Sequence, residues 1–206
     1  MSHPGAGEAN RPDAAVDSDE LCTLALSAAR LGARTASDAQ AEIRRQGGAR
    51  TTKSSETDLV TEADRATERV IRDALLDARP GDGFLGEESV SEWTDDPRGD
   101  ADDRVVWVVD PIDGTTNYVY GQPDWGISVA ATPVRNKLLN VLIAPTPDHE
   151  YVPTPWGPAT HNADLLVAAA TTPLRQDTLA TGFTHDPQHH APQGEAHTDL
   201  PQCVLH

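Results

Sequence analysis

The sequence has few basic, aromatic and sulfur-containing residues and no long apolar run. The 16 Lys and Arg are outnumbered by 33 Asp and Glu, giving a formal net charge of −17. Such a surface repels nucleic acids and anionic membranes, and no run is long enough to span a membrane. The two cysteines, Cys22 and Cys203, are too few for a disulfide framework. We therefore expect a reduced, cytoplasmic protein with neither nucleic acid nor membrane as a partner.

The strongest functional signal lies in residues 104–118. The β-branched run from Val105 to Val109 predicts a buried strand, which ends in Asp110 and Asp113 before a Gly-Thr-Thr-Asn turn. Backbone N–H groups in such a turn can face an anion. An ordinary strand end in an Asp-Gly turn is the alternative for this segment alone. Carboxylates beside anion-binding amides are typical of sites that hold Mg²⁺ together with phosphate.

Two further acid clusters stand at the ends of predicted elements. Residues 84–89 (Phe-Leu-Gly-Glu-Glu-Ser) form a second short apolar run that ends in acids. Residues 58–64 (Asp-Leu-Val-Thr-Glu-Ala-Asp) place a third acid cluster at a predicted helix start. Asp64 also fits a capping box with Thr61, so capping and a role in the site are both open. Three clusters at element ends can converge on one cation site.

In this order, residues 58–64, 86–89 (Gly-Glu-Glu-Ser) and 110–117 (Asp-Pro-Ile-Asp-Gly-Thr-Thr-Asn) resemble the inositol monophosphatase family. The resemblance covers roughly residues 21–186. It implies an α+β fold, a layered α/β/α/β sandwich of the sugar-phosphatase type. It also implies a Mg²⁺-dependent, lithium-sensitive hydrolase that acts on a small phosphorylated substrate, with inositol monophosphate as the first candidate. Members of the family are commonly homodimers.

The resemblance assigns the metal ligands. Glu87, Asp110 and the backbone carbonyl of Ile112 would hold one Mg²⁺. Asp110 would bridge to a second ion that Asp113 also binds, and the two ions would activate a water molecule. Lys53, on a predicted polar loop, would give electrostatic support.

The phosphate site and the water-positioning residues follow from the same resemblance. Gly114, Thr115 and Thr116 would bind the phosphate oxygens through the start of a helix. Glu87 and Thr115 would position the attacking water, while Asp64 would hold the Thr115 hydroxyl. Such positioning suits phosphoryl transfer, which asks little covalent chemistry of the protein.

The chain is predicted to begin with a disordered leader over residues 1–18, rich in Pro, Gly, Ala and Asp. An inositol-monophosphatase-like domain over residues 19–186 and an irregular tail over residues 187–206 follow. Family members carry a further Trp-Asp-x-Ala-Ala-Gly motif whose Asp ligates the second metal, and this motif is absent here. We therefore expect a C-terminally incomplete domain. The alternative function is an inactive remnant that binds metal or a partner without turnover.

The predicted elements are two helices followed by short strands. The first helix begins near residue 20, with Ser18 or Asp19 as its cap, and fades by Gly47. The second runs from Thr61 to a stop at Pro80. Strands are predicted around residues 84–86, 105–110, 126–132, 138–143 and 165–171.

One rival phosphatase class is excluded by spacing. Phosphatases with an aspartyl nucleophile also place Asp-Gly-Thr after an apolar strand, but a single residue separates their two acids. Here Pro111 and Ile112 both stand between Asp110 and Asp113. Asp113 would therefore point in a different direction from the second acid of those phosphatases.

Overall fold

The computed structural model describes residues 17–45, 53–89, 105–133, 139–154 and 157–168. The chain divides into two units, Met1–Leu166 and Val167–His206, and all the described elements belong to the first. The predicted tail and residues 1–16 of the predicted leader lie outside the described residues. The predicted domain boundaries therefore stay predictions.

Helices and a single mixed sheet make up the described part of the chain. The sheet has seven strands in the order β1 to β7, and only β1 and β2 are parallel to each other. No helix among the described residues is long and apolar enough to cross a membrane. The helices are α1 (Ser18–Arg45), α2 (Lys53–Ala78) and α3 (Thr115–Tyr120), and the strands are β1 (Gly83–Gly86), β2 (Val105–Asp113), β3 (Gly126–Pro133), β4 (Leu139–Ala144), β5 (His149–Thr154), β6 (Gly157–His161) and β7 (Asp164–Leu165).

Small residues let α1 pack closely against α2 and the sheet. α1 contacts α2, β3, β4 and β5, and its buried face is mostly alanine. At Gly32 an added Cβ would come within 2.6 Å of Ile71 Cδ1 on α2, so the glycine permits this approach. The buried face of α1 comprises Leu21, Cys22, Ala25, Ala28, Ala29, Gly32, Ala33, Ala36 and Gln40.

The first helix is capped one residue earlier than predicted. Asp17, rather than Ser18 or Asp19, is the cap, because its Oδ1 accepts a hydrogen bond of 2.9 Å from the Asp19 amide. The helix ends at Arg45 with two arginines in its last turn, where positive charge is favoured.

The second helix begins earlier than predicted, and this changes two interpretations. α2 starts at Lys53, so Lys53 lies on a helix and not on a polar loop. Thr61 is inside the helix, so the capping box with Asp64 at a helix start is wrong. The predicted start near residue 61 is where the apolar periodicity begins, but the helix itself begins at Lys53.

The core lies between the helices and one face of the sheet. Alternate residues of β2, β3 and β4 are buried, as expected for strands with a single covered face. Trp107, the third residue of β2, is completely buried, and its Nε1 donates a 2.9 Å hydrogen bond to Asp82 Oδ2. The sheet side of the core comprises Val105, Trp107, Val109, Ile127, Val129, Ala131, Leu139, Val141 and Ile143.

Two strands, β5 and β6, were not predicted. Residues 145–158 contain five prolines, which argue against central strands. In the structure, Pro153 lies where the β5–β6 register shifts, so it interrupts no regular ladder pair. Of the strand predicted over residues 165–171, residue 165 lies in β7 and residues 166–168 are not in a strand, while residues 169–171 lie outside the described residues.

One ion pair joins α1 to β5 and gives a testable pH effect. Arg30 donates to both carboxylate oxygens of Glu150 at 2.7 and 2.6 Å, but the two side chains are 49% and 25% exposed. We expect Glu150→Gln to lower the free energy of unfolding by less than about 1 kcal/mol. The hydrogen bond from Arg30 holds the pKa of Glu150 below its usual range.

The direction of the pH dependence follows from that lowered pKa. The unfolded chain takes up the proton first as the pH falls, so the contribution of the pair is full above the ordinary glutamate pKa. It is lost as the pH falls through the lower folded-state value. Urea unfolding should therefore give different free energies of unfolding for the wild type and Glu150→Gln at neutral pH, and the same free energy in strong acid. An equal difference at both pH values would show that the effect does not come from the ion pair.

Candidate active site

The carboxyl ends of β1 and β2 bring two of the predicted acids together. The strands are parallel, with Gly86 opposite Val109, so the next residues, Glu87 and Asp110, come side by side at one sheet edge. The Glu87 amide also donates to the Val109 carbonyl at 3.2 Å, which extends the pairing one residue beyond β1. The acids that follow two separate apolar runs therefore meet, as the sequence predicted.

A β-bulge places Asp113 on the same side as Asp110. Asp110 pairs with Ser128 and Asp113 with Gly126, so three steps along β2 oppose two along β3. In a regular strand, residues three apart face opposite sides, and one extra residue reverses that relation. The negative charge of Asp113 acts on Asp110, consistent with a shared side.

Asp64 reaches the same cluster from α2. It is buried, with 6% exposure. Burial is the main cause that raises its pKa to about 7, and the charges of Glu88, Glu87, Asp110 and Glu68 add to the effect. All four of these charges from described residues are negative. The helix thus adds a fourth carboxyl to those of Glu87, Asp110 and Asp113, and the four together are called the acidic edge.

Among these acids, Asp110 most clearly lacks a partner for its carboxylate. Burial, and then the negative charge of Glu87, raise the pKa of Asp110 above its usual range. Its Oδ1 atom is buried and has no hydrogen-bond partner among the described residues. A buried carboxylate oxygen without a partner is costly, and a missing ion or water is a common explanation.

Glu68 belongs to this cluster although the sequence analysis did not select it. It is 5% exposed, and its Oε2 accepts a 2.9 Å hydrogen bond from the Glu88 amide in the turn after β1. The Oε2 atom of Glu88 is also 3.7 Å from Nε of Arg65. Glu68 lies four residues after Asp64 and therefore on the same helix face, a spacing that could have identified it.

We expect Gly86→Ala to loosen this turn. A Cβ at Gly86 would overlap the Glu68 carboxylate, so Glu68 would have to leave the Glu88 amide. Losing a hydrogen bond to a charged group should lower the free energy of unfolding by about 1–3 kcal/mol. Gly81→Ala is the matched control, because nothing lies within 4 Å of its Cβ position. Chemical denaturation measures both, and equal effects would contradict this role of Glu68.

The Gly-Thr-Thr turn opens the short helix α3 beside the acids. Gly114 is left-handed (φ 83°), and an added Cβ would come within 2.7 Å of the Asp124 carbonyl oxygen. The first amides of α3 have no acceptor within the helix and can bind an anion. The Thr115 hydroxyl donates to the Ile112 carbonyl oxygen at 3.0 Å, so its partner here is not the predicted Asp64.

α1 holds α3 in place through contacts that no local pattern indicates. The Tyr118 hydroxyl donates to the Ala36 carbonyl at 2.8 Å, and Gln40 Nε2 donates to the Tyr118 carbonyl at 2.8 Å. The Tyr118 ring packs edge-on against Trp125, with ring centres 4.9 Å apart. The turn that presents free amides is thus fixed to the core of the domain.

The predicted site residues are partly assembled. The charges of Glu87 and Asp110 act on Asp64, and those of Glu87 and Asp113 act on Asp110, at the edge where α3 begins. Thr116 is exposed, and the Lys53 side chain is outside the described part of the structure.

The carboxylates of the acidic edge suit Mg²⁺, which keeps several bound waters. They suit less well an ion whose ligands would all come from the protein. Among the described residues, no group of three or more His, Cys, Asp or Glu side chains could hold a metal ion. Mg²⁺ commonly takes one or two carboxylates and keeps its other positions for water and phosphate. The unpartnered Asp110 oxygen and the repulsion between clustered carboxyls are the features that a cation would relieve.

The fold places the chain among α+β proteins of known structure. It is similar to Mycobacterium tuberculosis SuhB, with a TM-score of 0.67 and 27% identity over 87% of this chain and 64% of that chain. It is also similar to the extragenic suppressor protein suhB from Bartonella henselae, with a TM-score of 0.65 and 25% identity over 86% of this chain and 66% of that chain. The predicted α+β fold class is confirmed.

The sequence then identifies the family within that class. The model of the inositol monophosphatase family matches residues 17–202, and the chain belongs to this family. The inositol-1-monophosphatase SuhB of Mycobacterium tuberculosis is 51% identical over 84 residues, which are 41% of this chain and 28% of the relative. The inositol-1-monophosphatase of Rhizobium meliloti is 38% identical over 128 residues, which are 62% of this chain and 46% of the relative. The chain thus matches less than half the length of these relatives.

Proposed function

We propose that this chain carries the metal- and phosphate-binding part of a Mg²⁺-dependent phosphatase for a small phosphate monoester. Inositol monophosphate is the first candidate substrate, because relatives of this chain are named for that activity. The observation that carries the proposal is the buried, unpartnered Asp110 oxygen, which lies in a carboxyl cluster beside the anion-facing start of α3.

The acidic edge would hold the cation. Glu87, Asp110, Asp113 and the Ile112 carbonyl would supply oxygen ligands, and Lys53 would give electrostatic support. When bound, Mg²⁺ would stabilise charge on the phosphoryl oxygens and lower the pKa of a water molecule. Asp110 needs no proton once a cation neutralises the cluster, so its carboxylate can stay ionised at neutral pH.

The turn and its neighbours would position the reactants. The amides of Gly114, Thr115 and Thr116 would bind phosphate oxygens, since the start of a helix carries partial positive charge. Glu87 and the Thr115 hydroxyl would orient the attacking water. For this, the hydroxyl would turn away from the Ile112 carbonyl, and Asp64 is the predicted acceptor that would hold it. Positioning and charge stabilisation account for most catalysis in phosphoryl transfer.

The direct test is phosphate release from inositol 1-phosphate by the purified 206-residue chain. We expect release that requires Mg²⁺ and that Li⁺ inhibits. Glu87→Gln should remove the activity while leaving the far-UV circular dichroism spectrum unchanged. Asp148→Asn, in the turn between β4 and β5, is the matched control and should behave as the wild type.

A folded chain that releases no phosphate from inositol 1-phosphate would contradict the proposal for this chain. The other small phosphate monoesters, which include histidinol phosphate and fructose 1,6-bisphosphate, extend the assay to the substrate class. Release that persists after removal of Mg²⁺ with EDTA would contradict the role given to the acidic edge.

A further inference from the structure

Three aromatic side chains, His149, Tyr151 and His161, form a cluster on the hairpin of β5 and β6, away from the acidic edge. Glu150 bonds Arg30 of α1, and Val152 packs against the core. Because side chains alternate along a strand, His149 and Tyr151 point to the opposite sheet face, away from α1. His161 is the cross-strand partner of Tyr151 and shares that face.

The three rings contact one another. The His161 ring stacks on Tyr151, with centres 4.7 Å apart and an interplanar angle of 11°. The His149 ring stands edge-on to His161, with centres 4.4 Å apart and an interplanar angle of 84°. The Tyr151 hydroxyl is 3.4 Å from His149 Nδ1. The stacking fixes the orientation of His161, and the hydroxyl contact favours one orientation of His149.

One nitrogen in the cluster is unsatisfied. His161 Nε2 is buried and has no hydrogen-bond partner among the described residues. Leaving such an atom unpaired in the protein interior is unfavourable. If His149 donates its Nδ1–H to Tyr151, its own Nε2 also carries a free lone pair, as in metal-ligating histidines whose second nitrogen is held by a neighbour.

The two imidazoles are close enough to share one ion. Two imidazoles that share a metal about 2.1 Å from each nitrogen have ring centres about 4.6 Å apart when the two bonds meet at a right angle, and about 5.3 Å apart at the tetrahedral angle. The observed separation of the ring centres, 4.4 Å, is just below this range. Among the divalent ions of the first transition row, Cu²⁺ binds imidazole nitrogen most tightly and Ni²⁺ is close behind it in the affinity order, so these are the metals that we expect.

The geometry points to a transition-metal site in which His149 and His161 bind Cu²⁺ or Ni²⁺ through their Nε2 atoms, with water completing the coordination. Tyr151 acts as a positioning residue for both rings. The site is separate from the Mg²⁺ site proposed above, because its nitrogen ligands suit borderline metals and carboxylates suit Mg²⁺. It does not depend on phosphatase activity.

The test is a Cu²⁺ titration of the 206-residue chain in excess Mg²⁺, which would occupy the proposed carboxylate site. Cu²⁺ is the probe because it binds nitrogen ligands most tightly among these ions. We expect one Cu²⁺ per chain by calorimetry and an electron paramagnetic resonance spectrum with hyperfine coupling to two nitrogens. Other histidines would obscure the result, so the parent chain carries glutamine in place of His3, His185, His189, His190, His197 and His206.

Variants of the pair separate this site from nonspecific binding. His149→Gln and His161→Gln should each weaken Cu²⁺ binding by at least about tenfold, and Tyr151→Phe should have a smaller effect. Absence of stoichiometric binding by the folded parent chain would overturn the proposal and leave a bound water as the partner of His161. A spectrum with one nitrogen or none from the folded parent chain would overturn it as well, and this readout needs no substitution at His149, Tyr151 or His161.

Discussion

Asp110→Asn is expected to abolish Mg²⁺-dependent phosphate release and, at the same time, to raise the stability of the metal-free chain. The substitution removes a negative charge that burial and the neighbouring acids Glu87 and Asp113 disfavour. Losing a metal ligand should cost more than about 100-fold in activity, since even supporting residues around a metal cost 10–100-fold. A neutral amide at this site relieves repulsion, so the thermal midpoint without Mg²⁺ should increase.

The two effects are measured on the same preparations. Phosphate release is followed with saturating Mg²⁺, and thermal unfolding is followed in EDTA and in Mg²⁺. Mg²⁺ should stabilise the wild type, because it binds the folded state, and should not stabilise Asp110→Asn. Asp164→Asn on β7 is the control, since Asp164 is exposed and lies across the sheet from the site. A metal-free Asp110→Asn chain less stable than the wild type would contradict the repulsion at this position.

Trp107→Ala is expected to cause the largest loss of stability. Trp107 on β2 is completely buried, and its ring is part of the core between the helices and the sheet. Removing a buried tryptophan side chain should cost about 3–5 kcal/mol, a large share of the about 5–15 kcal/mol typical of a domain. The variant should unfold at much lower urea concentration.

Trp107→Phe separates packing from the hydrogen bond. Phenylalanine keeps much of the buried ring but lacks the Nε1–H that donates to Asp82. Asp82 keeps its ion pair with Arg79, so its carboxylate does not become unpaired. We therefore expect a loss clearly smaller than that of Trp107→Ala. Equal losses for the two variants would show that the hydrogen bond, and not the packing, dominates.

The elements that carry the acids were predictable from local sequence. A β-branched run that ends in Asp110 indicates a buried strand by composition alone, and the structure confirms it as β2. The apolar spacing on α1 indicates a helix whose observed end at Arg45 is close to the prediction. These features depend on residues within a few positions of one another, which is the range over which periodicity is informative.

Features that depend on distant partners could not be read in the same way. The bulge in β2 is defined by its pairing with β3, and Pro111 is compatible with a bulge without showing which residues pair on either side of it. The anchoring of Tyr118 joins residues about eighty positions apart in the sequence. The strands β5 and β6 were missed because their prolines are tolerated at a register shift that only strand pairing reveals.

The measurement that tests the acidic edge most directly is Mn²⁺ binding, followed by electron paramagnetic resonance, with Mg²⁺ as the competitor. Mn²⁺ shares the oxygen preference of Mg²⁺ and reports its own bound fraction. We predict a saturable class of bound Mn²⁺ that Mg²⁺ displaces, that is lost in Glu87→Gln and Asp110→Asn, and that is kept in Asp164→Asn. Equal binding in the wild type and both site variants would show that the ends of β1 and β2 do not form a metal site.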